Sequence, residues 1–395
     1  MSYPKIQHWT YSLPTALLLM APFDILASLA MDIYLPIVPM MPEALGTSPA
    51  IIQLTLSLYM IVLGVGQIVF GPISDIIGRR PVLLGGAALF AAASFLLAGS
   101  SSAPLFVVLR LLQAVGASAT LVATFATVRD IYGGRPESST IYSLLGSILS
   151  FVPALGPIAG ALISDRFGWR AIFLVIGLLS IAALFNASMR WHETRPAVTA
   201  KIDVRPILTS LPFWVYTGGF STAMGAFFVF FSTAPRILID EAGFSGIGFS
   251  FVFATVALVM IVTARFAKGF VMRWGIAGSL ARGMAVLLLG AALLVFGELF
   301  LQPSLVSFVM PMWIIAIGIV LATAVTANGA LAAFGDTAGT AVAFYFCVQS
   351  IIVGFAGTFF VILLGGDNAW PLAGYISATA LTTLAGLWCL WEPAR

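Results

Sequence analysis

The sequence predicts an all-α polytopic membrane protein with twelve transmembrane helices. Of its 395 residues, 61% are hydrophobic and only 8% are charged. Apolar runs of about twenty residues, the length that a helix needs to cross a bilayer core, recur from one end of the chain to the other. These runs take up nearly the whole chain, so we expect the functional residues to lie among the helices.

Polar residues, glycines and prolines separate the apolar runs and set the bounds of each span. The first six predicted spans cover residues 13–38, 50–72, 81–100, 104–128, 140–163 and 170–190. The last six cover residues 211–235, 247–270, 279–301, 304–331, 338–364 and 369–391. The longest interval between spans, residues 191–210, leaves no room for a separate soluble domain.

The interval 191–210 divides the spans into two sets of six. We therefore predict an N-terminal six-helix bundle (1–190), a cytoplasmic linker (191–210) and a C-terminal six-helix bundle (211–395). A weak repeat supports the division: "YLPIVP" ends the first span and "STAPRI" the seventh, while "GPISDIIGRR" follows the second and "GFVMRWG" the eighth. A parallel repeat of this kind predicts two pseudo-symmetric bundles.

The lysines and arginines predict the orientation, because short loops rich in these residues stay in the cytoplasm. Three arginines fall on one side of the predicted membrane, Arg166, Arg170 and Arg236. The other side carries Lys5, Arg79, Arg80, Arg129, Arg135, Arg190, Arg195, Lys201, Arg205, Arg265, Lys268, Arg273, Arg282 and Arg395. We expect both termini to be cytoplasmic, and no basic cluster calls for a nucleic-acid partner.

Two aspartates, Asp24 and Asp32, interrupt the apolar first span. Asp24 lies roughly 17 Å into the helix, close to the centre of a hydrocarbon core about 30 Å thick. A carboxyl group at that depth costs about 2.5–3.5 kcal/mol, so we expect it to face the bundle interior or a water-filled cavity. Asp32 lies about 12 Å farther on and about 80° around the axis, so both can line one path.

Arg110 is the basic residue that lies farthest from either end of its predicted span. Its guanidinium stays charged and needs an anionic or dipolar partner, for which Asp24 and Asp32 are the candidates. A buried carboxyl whose cationic partner comes and goes can take up and release a proton near neutral pH. These three residues are our candidates for proton coupling, and Asp24 and Arg110 also for the substrate cavity. A static pair that only specifies packing is the open alternative.

Aromatic and amide side chains in the later spans are further candidates for the substrate cavity. Rings can stack on an aromatic substrate, although most aromatics in a membrane bundle pack against helices or lipid. The candidates are Phe227, Phe228 and Phe231 in the seventh span, Asn328 in the tenth, and Phe344, Tyr345, Phe346 and Gln349 in the eleventh.

The sequence argues against an enzyme. His192 and Glu193 begin an H-E-x-x-H zinc motif, but Pro196 stands where the second histidine is required. The chain has no P-loop for ATP and no G-x-S-x-G nucleophile motif. Cys347 and Cys389 both lie in predicted spans and are expected to be small buried residues rather than a disulfide. We therefore expect a protein that uses no cofactor, metal or ATP.

Three motifs carry a resemblance to the major facilitator superfamily. The stretch "GPISDIIGRR" (Gly71, Asp75, Gly78, Arg79, Arg80) resembles its signature loop between the second and third helices, with Ile76 where a basic residue is usual. "RLLQAVG" (Arg110, Gln113, Gly116) resembles its fourth-helix motif. "PALGPIAG" (Pro153, Gly156, Pro157, Gly160) resembles the fifth-helix motif of its drug/proton antiporters. The resemblance implies the major facilitator fold.

Longer stretches resemble one branch of that superfamily. "APFDILASLAMDIYLPIVPMMP", "LLQAVGASATLVATFATVRDIY", "FFVFFSTAPRILI" and "FATVALVMIVTARFAK" are similar to the Bcr/CflA drug exporters, and most closely to the florfenicol and chloramphenicol exporters. This resemblance implies proton-driven efflux of phenicol antibiotics across a bacterial inner membrane. The implied partners are a small hydrophobic drug, protons and membrane lipid. The alternative is a proton-coupled transporter of another small amphipathic or nutrient substrate.

The motif residues are also candidates for conformational change. Gly156 and Gly160 have the spacing that lets a helix approach a neighbour closely, and Pro157 bends the helix. They predict either ordinary helix packing or a tight seam between the halves. We expect a charged latch that stabilises the outward-facing state, formed by Asp75, Arg79, Arg80, Arg129, Asp130 and Arg135. Exposed ion pairs contribute little energy, but a gate whose two states have nearly equal energy needs only a small bias.

Overall fold

The computed structural model describes residues 11–132, 141, 144–145, 148–149, 151–194, 204–334 and 338–391. The regular structure within these ranges is helical. Ten helical segments within them have the length and apolar composition needed to cross a membrane. The chain is therefore a multi-pass membrane protein, as the sequence predicted.

Six helices of 16 or more residues precede residue 191 in the described part of the chain. They are α1 (Leu13–Asp32), α2 (Pro49–Ile77), α3 (Arg79–Ala98), α4 (Ala103–Tyr132), α5 (Val152–Phe167) and α6 (Trp169–Arg190). A 3₁₀ segment, Leu35–Met40, and a short helix, Met41–Ala44, connect α1 to α2.

The later helices are α7 (Leu211–Pro235), α8 (Gly246–Phe300), α9 (Met310–Leu331), α10 (Ala338–Ile352), α11 (Thr358–Leu364) and α12 (Trp370–Trp391). Serine side chains accept hydrogen bonds from backbone N–H groups at the starts of α7 and α8, at Ser210 and Ser245. A π-helical turn, Val353–Gly357, joins α10 to α11 within one membrane-spanning segment.

Contacts group the described residues into two units. The first unit contains residues up to Tyr34, Ala44–Gly46 and the residues from Val62 to the end of α6 and just beyond. The second unit contains Leu35–Glu43, Thr47–Ile61 and the residues from α7 onward. Residues of α2 therefore belong to both units. The predicted bundle boundaries at residues 190 and 211 stay a prediction.

The predicted eighth and ninth spans lie in the helical segment α8, Gly246–Phe300, which is broken at Gly275, with φ 68° and ψ −178°. The break falls within residues 271–278, the interval that the sequence left between these two spans, and Gly275 is the residue there that departs from helical geometry. Glycine adopts this left-handed conformation without a Cβ clash, so one residue is enough to bend the chain. On either side, Phe270 stacks on Trp274, and Arg282 lies 4.8 Å from the Trp274 ring centre.

Parts of the predicted fifth span, latch and linker lie outside the described residues. The fifth predicted span, residues 140–163, is described continuously from residue 151, and α5 has only 16 residues. Arg135 of the predicted latch and residues 195–203 of the predicted linker are also outside them. The helix Arg205–Leu208 lies in the described part of the linker. The count of twelve spans stays a prediction.

Candidate functional site

Asp24 and Asp32 lie on α1, which packs against α4, α5 and α6 in the first unit. Both side chains are buried, with 6% and 5% of their surface exposed. Neither carboxyl group makes a hydrogen bond or ion pair with the residues that the structure describes. A membrane-buried carboxyl without a fixed partner is suited to binding and releasing a proton.

Arg110, on α4, binds the carboxyl end of α1. Its Nη1 donates a hydrogen bond to the Ala30 carbonyl oxygen at 3.0 Å, and α1 ends two residues later at Asp32. The last carbonyl groups of a helix lack donors within the helix and carry partial negative charge. The guanidinium therefore satisfies one of these carbonyls and complements the helix dipole.

A chain of buried hydrogen bonds continues from Arg110 to α3. Nη1 of Arg110 also donates to Oε1 of Gln113 at 2.6 Å, and Nε2 of Gln113 donates to the Ser94 hydroxyl at 2.9 Å. The Ser94 hydroxyl in turn donates to the Phe90 carbonyl at 2.7 Å. Arg110, Gln113 and Ser94 are at most 1% exposed. The chain ties three helices together through Arg110.

An aromatic cluster covers the guanidinium. The Arg110 Cζ lies 5.1 Å from the centre of the Tyr34 ring, within the range of a cation–π interaction. Tyr34 packs against Phe106 and Phe173, with ring centres 6.0 Å away in each case. The sequence analysis named Asp24 and Asp32 as candidate partners of Arg110. The contacts described here, with the Tyr34 ring, the Ala30 carbonyl and the Gln113 amide, are with dipolar groups. The role of Arg110 in proton coupling stays a prediction.

Gly156 and Gly160 of α5 face α1 of the same unit. A Cβ at Gly156 would lie 2.8 Å from the Cβ of Asp32, and a Cβ at Gly160 would collide with the Ile33 carbonyl oxygen. The absence of side chains at these two glycines therefore lets the end of α1 that carries Asp32 lie close to α5. Packing within the first unit accounts for both residues, and a seam between the halves stays a prediction.

We expect Gly160→Ala to lower the melting temperature of the purified protein. The new methyl group meets a backbone oxygen that cannot rotate away, and overpacking of this kind costs about 1–3 kcal/mol. Gly85→Ala is the matched control, because a Cβ at Gly85 meets no atom within 4 Å, and alanine there favours the helix by up to about 1 kcal/mol. Equal melting temperatures for the two variants would contradict the predicted clash.

The predicted latch is centred on Arg79 in the structure. Its guanidinium contacts the Asp75 carboxylate at 2.5 Å and the Asp130 carboxylate at 2.9 Å, and donates to the Ser74 hydroxyl at 2.6 Å. Arg129 reaches Asp130 only at 3.7 Å and is half exposed. Ile76, which stands where the similar loop motif usually has a basic residue, is 69% exposed. One arginine thus pairs with both carboxylates within the first unit.

Glu193 completes this network and was missed by the sequence reasoning, which considered it only as part of an incomplete zinc motif. Its two carboxylate oxygens accept hydrogen bonds from the backbone N–H groups of Arg79 at 2.8 Å and Arg80 at 3.1 Å. These groups open α3, where Gly78 offers no capping side chain. A carboxylate there satisfies free donors and the helix dipole. No local pattern signals a contact between residues so distant in the chain.

Most of the predicted substrate-contacting aromatics of α7 pack inside the second unit. Phe228 is 3% exposed and fits against Gly357, where a Cβ would lie 2.9 Å from its ring. Phe231 is also 3% exposed and meets Phe253 edge to face at 6.4 Å. Phe227 is half-buried and also contacts the Phe253 ring, at 6.1 Å. Contact of these rings with substrate stays a prediction.

The remaining candidates differ in burial. Tyr345 is buried, donates its hydroxyl proton to Thr326 at 2.9 Å and stacks on Phe220 at 4.8 Å. Phe344 is half-buried, while Asn328 near the end of α9 is exposed. The structure therefore brings Tyr345 into the interior of the second unit and leaves Asn328 at its surface.

The comparisons with known proteins identify the family. Residues 23–358 match the Major Facilitator Superfamily. The chain belongs to this superfamily. It is also 49% identical over 385 residues to a chloramphenicol resistance protein of Pseudomonas aeruginosa, covering 97% of this chain and 92% of the relative.

Two further relatives match about half of the chain. The multidrug resistance protein MdtL of Escherichia fergusonii is 31% identical over 217 residues, which cover 54% of this chain and 55% of the relative. MdtL of Escherichia coli strain K12 is 29% identical over 228 residues, with the same coverage of both chains. The protein is therefore a transporter of the Major Facilitator Superfamily.

Proposed function

We propose that this transporter exports phenicol antibiotics, chloramphenicol and florfenicol, in exchange for protons and so confers resistance. The observation that carries the proposal is the end-to-end similarity to a protein named for chloramphenicol resistance. The transporter would work in the bacterial inner membrane with both termini in the cytoplasm. It would need no cofactor and no ATP.

The buried carboxyl groups of α1 support the choice of protons as the driving ion. Asp24 lies in the middle of an apolar helix and has no fixed partner among the described residues, so its protonation can change without breaking a structural contact. In the proposed cycle, drug binds best when Asp24 is deprotonated. A proton entering from the periplasm then binds Asp24 and favours drug release.

The energy from one proton is sufficient for this exchange. A membrane potential supplies about 2.3 kcal/mol per charge for each 100 mV, so roughly 150 mV provides about 3.5 kcal/mol. At 1.4 kcal/mol per tenfold change, this sustains a drug gradient of roughly 300-fold. One proton per molecule therefore suffices for an uncharged phenicol.

Expression in a drug-sensitive bacterium tests the proposed substrate. We expect cells that produce the transporter to grow at several-fold higher concentrations of chloramphenicol and florfenicol than cells with an empty vector. Cell-associated drug should rise to the vector level when an uncoupler collapses the proton gradient. Unchanged susceptibility to both drugs, with the protein present in the membrane, would refute the assignment of phenicols as substrates.

A further inference from the structure

We propose that Gln349 donates a hydrogen bond to an acceptor oxygen of the transported drug and thereby helps to determine substrate specificity. The proposal rests on the proposed function, because it assigns a recognition role within the same export activity. Gln349 lies on α10, one turn before the π-helical turn Val353–Gly357.

The side-chain amide of Gln349 is buried but incompletely bonded. The residue is 5% exposed, and its Nε2 has no acceptor among the residues that the structure describes. Its Oε1 accepts one long hydrogen bond from the neighbouring Ser350 hydroxyl at 3.5 Å. A buried donor without an acceptor is unfavourable, so such groups usually have a functional reason or a missing partner.

Gln349 differs in this respect from the other buried glutamines in the described part of the chain. Nε2 of Gln53 donates to the Ser232 hydroxyl at 3.0 Å, and Nε2 of Gln113 donates to the Ser94 hydroxyl at 2.9 Å. Both of these amides therefore have a structural hydrogen bond within their unit. The Gln349 amide keeps its donor available for a ligand.

The other polar group on this face of α10 is the hydroxyl group of Tyr345, which already donates a structural hydrogen bond. Tyr345 lies one turn before Gln349, and residues four apart share a helix face. Its hydroxyl proton is donated to Thr326 at 2.9 Å, and its ring stacks on Phe220. On this face, the amide of Gln349 is thus the donor that has no acceptor within the described ranges.

A neutral amide donor selects a particular ligand chemistry. Its N–H groups bind carbonyl, hydroxyl, nitro or sulfonyl oxygens without adding a charge to the site. Phenicols are uncharged and carry such oxygens. Because the amide does not titrate, we expect its contribution to drug affinity to be independent of pH, in contrast to that of Asp24.

Transport of chloramphenicol by Gln349→Met protein tests the proposal in proteoliposomes. Methionine has a similar length but no donor, so we expect the KM to rise roughly 3- to 10-fold, the value of one neutral hydrogen bond, with little change in the maximal rate. Gln349→Glu should raise the KM at least as much when its carboxyl group is ionised, because a carboxylate only accepts hydrogen bonds and repels the acceptor oxygen of the drug.

Gln53→Met is the matched control. It removes a hydrogen bond to Ser232, so we expect a lower melting temperature with an unchanged KM, whereas Gln349→Met should leave the melting temperature unchanged or raise it. A KM within twofold of wild type in Gln349→Met, or a melting temperature as low as that of Gln53→Met, would overturn the proposal. Absence of transport by the wild type would instead refute the proposed function, and the melting temperatures would still decide whether the Gln349 amide is structural.

Discussion

Asp24→Asn is expected to abolish the uphill export of drug while leaving the protein folded and in the membrane. Asparagine has nearly the same shape but cannot exchange a proton, so the drug and proton movements lose their link. Since the Asp24 carboxyl has no hydrogen-bond partner among the described residues, its replacement strands no other group. In vesicles with an imposed proton gradient, drug accumulation by the variant should fall to the level of vesicles that lack the protein.

Drug binding provides an independent measurement of the same prediction. We expect the affinity of wild-type protein to fall as the pH decreases from about 8.5 to 5.5, because protonation of Asp24 competes with binding of the drug. In Asp24→Asn the profile should be flat. Asp165→Asn, which changes an exposed carboxyl on α5, is the control and should behave like the wild type. Export at the wild-type rate by Asp24→Asn would exclude Asp24 as the coupling residue.

Arg110→Ala is expected to abolish export and also to destabilise the first unit. The substitution leaves the Ala30 carbonyl and the Gln113 amide without their buried donor and removes the cation from the Tyr34 ring. Each buried polar group left unsatisfied costs about 1–3 kcal/mol. Melting temperature and export should therefore both fall.

Arg110→Lys separates the charge from the shape of the guanidinium. A lysine keeps the positive charge but cannot form the planar fork that binds both acceptors at once, so we expect reduced export in a folded protein. Arg166→Ala, at an exposed arginine, should have little effect on either property. Full export by Arg110→Ala would show that the residue serves packing alone.

The helices could be predicted from the sequence because an apolar run long enough to cross a membrane is a local feature of the sequence. The runs that predicted α3, α4 and α7 needed no knowledge of their neighbours. The break at Gly275 lies in the interval that the sequence left between the eighth and ninth predicted spans, but the sequence did not show that a single glycine would form it. The depth of Asp24 in its helix was likewise sufficient to anticipate that it is buried.

Contacts between residues that are far apart in the chain could not be predicted from the sequence. Arg110 was expected to have an anionic or dipolar partner, but its hydrogen bond to the Ala30 carbonyl could not be named from the sequence, because it depends on how the end of α1 lies against α4. Glu193 was overlooked because its acceptor role depends on the approach of α6 to the start of α3. That Nε2 of Gln349 has no acceptor among the described residues could be recognised only from the three-dimensional structure.

Drug uptake by proteoliposomes under an imposed pH gradient tests the central claim most directly. Purified wild-type protein is reconstituted, the lumen is made acidic, and both radiolabelled chloramphenicol in the lumen and the external pH are followed. The account predicts that drug accumulates above its external concentration while protons leave the lumen, and that both movements cease in Asp24→Asn. Accumulation of drug in the same direction as proton movement, or equilibration without accumulation, would contradict proton-coupled drug antiport.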